Sequence, residues 1–127
     1  MYTDTVMDHF RHPRNAGEIR DASAVGEAGN TRCGDVMRIY LAVNEKEIIT
    51  DVRFRTSGCV AAIASSSMAT VMIKGKTIEE ALAVTNQAIE RELGGLPPVK
   101  FYCSLLAEQA IRAAVADFRD RHPERTG

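Results

Sequence analysis

The feature that most constrains this chain is a change of apolar period at Gly58. Ahead of it, residues 36–43 and 48–55 are dense in strand formers and are separated only by Asn44-Glu45-Lys46-Glu47. In the second of these segments Val52 and Phe54 face one side while Asp51, Arg53 and Arg55 face the other, so the pair reads as an antiparallel hairpin with one wet face. Beyond Gly58 every apolar repeat is helical. Strands first and helices after predict an α+β domain: a small antiparallel sheet of about three strands, helices packed on one face, and a long C-terminal amphipathic helix.

The helical half divides at its own punctuation. Residues 59–74, with Ala61, Ala62, Ala64 and Ser65-Ser66-Ser67, have small side chains and no internal Gly or Pro, which predicts a buried helix with close neighbours; the serines read as packing spacers. Thr77-Ile78-Glu79-Glu80 is a capping-box pattern opening a short helix through Val84, and a second short helix runs from Thr85 or Asn86 to Leu93 before Gly94-Gly95. Leu96-Pro97-Pro98-Val99 is expected to be non-helical, because each proline restricts the residue before it. Over residues 101–121, Leu105, Leu106, Ala110, Ile111, Ala114, Val115 and Phe118 trace one stripe. At the N-terminus Thr3 or Asp4 caps a helix with Val6, Met7 and Phe10 on its apolar face, ended by His12-Pro13. Residues 16–35 read as a loop with one short strand.

The 127 residues, 45% hydrophobic and 26% charged, suit a single domain spanning 1–127. A chain of that size buries roughly two-thirds of its unfolded surface and needs no metal to supply a core. The net charge of −1, with Lys and Arg scattered, gives no basis for nucleic acid as a partner. No apolar run reaches the roughly 18 residues of a membrane span. Met1-Tyr2-Thr3-Asp4 lacks the basic flank and apolar stretch of a signal peptide, so a cytoplasmic protein is expected.

Three cysteines, at positions 33, 59 and 103, are too far apart in sequence for a zinc ribbon or a redox pair and too few for a disulfide framework. Isolated cysteines are ordinarily small core residues. Here each falls at a break between elements: Cys33 before Gly34-Asp35 at the entry to the hairpin, Cys59 after Gly58 at a helix start, and Cys103 near the start of the last helix. A helix N-terminus favours the thiolate, the form that binds soft metals and attacks sulfur, and Lys100 one turn ahead of Cys103 would favour it further. Three thiolates leave one corner of a metal or cluster site open, and Asp35 can reach it. A carboxylate is a harder donor than a thiolate, so such a site should hold its cargo weakly. By itself Asp35 also reads as a turn residue. His9, His12 and His122 are not assigned to the site.

With these residues in view, the chain resembles the IscU/NifU N-terminal type of iron-sulfur scaffold over nearly its whole length. The segments that carry the likeness are His9-Phe10 with Pro13-Arg14-Asn15-Ala16-Gly17, Cys33-Gly34-Asp35-Val36-Met37, Phe54 with Ser57-Gly58-Cys59, Ala62-Ile63-Ala64-Ser65-Ser66-Ser67, Lys74-Gly75-Lys76, Leu96-Pro97-Pro98-Val99-Lys100, and Cys103-Ser104 with Leu106-Ala107. The resemblance implies a non-enzymatic carrier on which a transient 2Fe-2S cluster, or a 4Fe-4S one, is built on Cys33, Cys59 and Cys103. It also implies that Asp35 keeps the cluster labile, that a cysteine desulfurase delivers persulfide with Cys103 as acceptor assisted by Lys100, and that apo-proteins receive the product. An Hsp70-type chaperone would grip residues 96–100, and two chains could share one cluster as a homodimer. One departure stands out: the family's commonest form has histidine before the third cysteine, where this chain has Tyr102. Asp35 is therefore the first candidate for fourth donor, with Tyr102 phenolate as the second.

Two other classes use the same residues. A structural or regulatory zinc domain would need the same thiolates and carboxylate, and zinc can also fill an empty scaffold site. A thiol enzyme with Cys103 as nucleophile and Lys100 as activator would lack a histidine base, since none lies between His12 and His122.

Overall fold

The computed structural model describes residues 2–30 and 35–123. Its sheet has three antiparallel strands in sequence order: β1 (Ala24–Asn30), β2 (Asp35–Val43) and β3 (Ile49–Ser57). The register sets Gly26 opposite Ile39 and Ile39 opposite Phe54, so that Met37, Ile39, Leu41, Val52 and Phe54 all point to one face and are buried. A period of two leaves Arg38, Arg53 and Arg55 on the other face, where Arg38 pairs with Glu27 and Arg55 with Glu18, each at 2.6 Å. The hairpin turn is built by Asn44, whose Oδ1 accepts from the amides of Lys46 and Ile48, while Glu47 takes the left-handed conformation.

The edge of β3 is covered by the chain's own loop. Gly17 N–H donates to the Phe54 carbonyl and Phe54 N–H to the Asn15 carbonyl, which satisfies groups that an open edge would offer to another chain. The loop hangs from α1 (Asp4–Arg11), whose N-cap is Thr3. Helix α2 (Val60–Ile73) buries ten residues, mostly Ala and Ser, because it is enclosed by α1, β3 and the C-terminal helix; small side chains permit those approaches. Two short helices follow: α3 (Ile78–Leu82), closed by the expected capping box, and α4 (Asn86–Glu92), capped by Thr85.

Helix α5 (Phe101–Arg121) lies along β1 and β2. Its buried face is Cys103, Ala107, Ala110, Ile111, Ala114, Val115 and Phe118, so two leucines of the expected stripe are displaced: Leu105 is exposed and Leu106 only partly buried. The smaller residues face the sheet because helix and strand backbones come very close at Gly26, and bulk is accommodated only at the flanks. A second difference concerns residues 96–99. Pro98 opens a 3-10 turn, Pro98–Lys100, that feeds directly into α5, so Val99 is helical although Pro97 before it is extended. Proline fits the first position of a helical turn, where no amide donor is needed.

Candidate functional site

The N-terminal ends of α2 and α5 meet beside the start of β2. Cys59 is the N-cap of α2 and half-buried, whereas Cys103 is the third residue of α5 and completely buried, and their Sγ atoms stand 3.9 Å apart. Asp35 is the first residue of β2. Its Oδ2 accepts a hydrogen bond of 2.6 Å from the Tyr102 hydroxyl, and its Oδ1 would lie 3.2 Å from a Cβ added at Gly58. That same added Cβ would stand 2.7 Å from the Ala62 Cβ. Glycine at 58 thus lets the carboxylate and the first turn of α2 close on the loop that carries Cys59. Folding brings Cys59, Cys103 and Asp35 to one place, as the sequence predicts. Cys33, expected as the third thiolate, lies outside the described residues.

The two thiols are not equivalent. Burial alone would raise the Cys59 thiol, but the amides of Ala62 and Ala61 at the open start of α2, the Cys103 thiol and the Lys100 ammonium together bring it below its ordinary value. Cys103 goes the other way: burial first, then the neighbouring Cys59 thiolate, push it up to about 12. The expectation that Lys100 favours a Cys103 thiolate is therefore redirected. Lys100 is itself held up chiefly by Cys59, so its charge acts on the reachable sulfur. The Tyr102 phenol is raised above its ordinary value, first by its hydrogen bond to Asp35, which holds it protonated and disfavours the phenolate considered as a donor.

Among the described residues, no three His, Cys, Asp or Glu side chains stand close enough together to hold a metal ion. Asp35 is engaged with the phenol and Cys103 is buried with its thiol held up, so this conformation carries one partly exposed sulfur whose thiol is lowered, one sealed thiol and one occupied carboxylate. His9 takes no part, because its Nδ1 is bound to Ser67 Oγ at 2.7 Å in the seam between α1 and α2. Flanking Cys103 along the chain are solvent-exposed apolar side chains: Val99 is 77% exposed, and Phe101, Tyr102 and Leu105 are each about two-fifths exposed.

The tie between Tyr102 and Asp35 escaped sequence reasoning, although both residues were singled out. Its signal was present, in that an aromatic hydroxyl next to Cys103 and a carboxylate next to Cys33 must approach each other if the two cysteines share a site. Ser67 is more than the packing spacer its neighbours suggest, since its hydroxyl accepts from Arg14 N–H at 2.9 Å besides meeting His9.

Two sulfurs 3.9 Å apart beside a carboxylate, set at the end of a three-stranded sheet under a layer of helices, define a small α+β domain with a thiol site at its surface. The chain belongs to the NifU-like N terminal domain family, whose sequence profile matches residues 1–125. It is 56% identical over 118 residues to Iron-sulfur cluster assembly scaffold protein IscU 1 of Archaeoglobus fulgidus, covering 93% of this chain and 76% of the relative. The scaffold protein IscU of Azotobacter vinelandii is 51% identical over 124 residues, with 94% and 95% covered. That of Escherichia coli is 47% identical over 123 residues, again with 94% and 95% covered. Among solved structures, a SUF-system scaffold candidate from Fervidobacterium islandicum AW-1 superposes with a TM-score of 0.75 at 27% identity, covering 90% of this chain and 96% of that one. The N-terminal NifU-like protein of Brucella abortus, 20% identical with 94% of each chain covered, has a TM-score of 0.71 and shares the fold.

Proposed function

We propose that this protein is an iron-sulfur cluster assembly scaffold: it receives iron and persulfide sulfur, holds the nascent 2Fe-2S cluster as cargo on Cys33, Cys59, Cys103 and Asp35, and passes it to apo-proteins. The observation that carries this reading is the convergence of Cys59 and Cys103 to 3.9 Å beside Asp35, from three separate elements of the chain. The donor set fits such cargo. Thiolates match iron-sulfur clusters, and one oxygen donor among them weakens the hold, as a carrier requires.

Sulfur would arrive from a cysteine desulfurase by attack of a thiolate here on the outer sulfur of the donor's persulfide, which releases the donor's own thiolate. The family resemblance assigns that attack to Cys103, which is buried here, whereas Cys59 is the more exposed sulfur and Lys100 lies near both. The apolar rim of Val99, Phe101 and Leu105 suits protein docking, and the protruding Pro97-Pro98-Val99 turn suits the groove of an Hsp70-type chaperone. We place this work in the cytoplasm, where thiols stay reduced.

Anaerobic incubation with iron, cysteine and a desulfurase should develop the visible spectrum of a 2Fe-2S cluster. Replacing Cys33, Cys59 or Cys103 by Ser should abolish it, and an unchanged spectrum in all three variants would reject the site. Asp35→Ala should slow cluster loss to an apo-acceptor severalfold. A zinc-binding role for the same donors predicts instead that iron and sulfide fail to displace bound zinc with a transferable cluster.

A further inference from the structure

We propose that Tyr102 is a positioning residue that latches the site carboxylate. Its hydroxyl donates to Asp35 Oδ2, and an incoming metal ion must displace it to gain that oxygen. This rests on the scaffold reading of Cys59, Cys103 and Asp35 as donors.

Three observations converge on the latch. The contact is short, 2.6 Å, and joins the first residue of β2 to the second of α5, 67 positions apart in sequence, so only the folded site creates it. The other carboxylate oxygen is confined at the Gly58 loop, where an added Cβ would stand 3.2 Å away, so the phenol takes the oxygen that faces outward from that loop. In this state Asp35 forms no three-donor group with the thiols among the described residues, although it belongs to the same cluster of side chains. Carboxylate and thiols lie near one another, and the hydrogen bond from Tyr102 engages an oxygen that a metal would need. Charge-assisted bonds of this kind are stronger than neutral ones, so breaking it subtracts from whatever the metal gains. The neighbour of the third cysteine in this chain thus acts on the metal through Asp35 and not as a donor of its own.

The test uses the full apo chain, reduced, with zinc ion alone as the probe and calorimetry as the readout. Zinc binding to the unmodified protein should weaken in Cys59→Ser, Cys103→Ser and Asp35→Ala; if none of the three weakens it, the donor assignment itself fails. Where they do, Tyr102→Phe should bind zinc roughly three- to tenfold more tightly than the unmodified chain, the effect of removing one competing hydrogen bond at an exposed position. In the Asp35→Ala background the gain from the same change should shrink well below that, because only the phenol's contact with the Cys103 sulfur is then left to lose. Equal or weaker zinc binding by Tyr102→Phe, or an equal gain with and without Asp35, overturns the latch. Tyr102 is 40% exposed, so the substitution leaves the core intact, and an unchanged circular dichroism spectrum and unfolding midpoint are the control.

Discussion

A reactive sulfur and a reserve sulfur in contact form a division of labour that single residues set. The Cys59 thiol is lowered because, as N-cap, it lies beside the amides of Ala62 and Ala61, and the Cys103 thiol is raised because it lies on the buried face of α5. The sequence places both cysteines at helix starts and so makes them look alike. Which face of the helix each occupies follows from how α5 meets the sheet, and that cannot be read from spacing. Iodoacetamide at neutral pH should therefore modify Cys59 at least about tenfold faster than Cys103, because both exposure and thiolate fraction favour it. Peptide mapping by mass spectrometry measures the ratio, and urea should bring it near unity. Comparable rates in the folded protein would mean that Cys103 is not sealed.

At the level of elements, strand and helix periods in residues 36–55 and 59–121 were legible because burial on one face imposes them. β2 and β3 fall within two residues of their expected bounds. β1 is harder, since in Ala24–Asn30 Val25 alone is a strand former among Ala, Gly and polar residues; it pairs because β2 offers an edge and α5 covers it. That cover explains its glycine. A Cβ at Gly26 would lie 2.1 Å from Ala114 N and 2.3 Å from Ala110 O, both backbone atoms that cannot swing away. Gly26→Ala must push α5 off the sheet, and a loss of about 3 kcal/mol or more is expected in urea unfolding, at the upper end for overpacking. Gly75→Ala is the contrast. Nothing lies within 4 Å of its added Cβ, and only the positive φ of 85° opposes the change, for about 1 kcal/mol. Equal costs at the two positions would show that the closeness of α5 to β1 is not what Gly26 serves.

Across the whole molecule, one polar seam runs beside the hydrophobic core and ties the same elements, α1, α2 and β3, a second time. His9 of α1 meets Ser67 of α2, Arg14 N–H reaches the same hydroxyl, Asn15 bonds Thr70, and Asn15 also receives Arg53 from β3. Buried polar contacts of this kind hold only while every partner keeps its protonation state. Burial first, then the Arg14 charge, hold the His9 imidazole below its ordinary value of 6.5, against the pull of Asp8. Between those two values the unfolded chain carries the proton and the folded one does not, so the unfolded state binds more protons and stability falls as pH falls. The contribution is whole above pH 6.5 and is lost progressively below it, at a slope of at most about 1.4 kcal/mol per pH unit for one proton. His9→Gln keeps a polar partner for Ser67 and removes the titration. Asp8, held below the usual carboxylate range chiefly by its hydrogen bond from Arg14, feels His9 only as a lesser influence and stays ionised across the range compared. Urea midpoints measured from pH 8 down to pH 5 should therefore diverge below about 6.5, the unmodified chain falling more steeply than His9→Gln. Parallel curves would place the acid sensitivity elsewhere and leave the seam with a packing role alone.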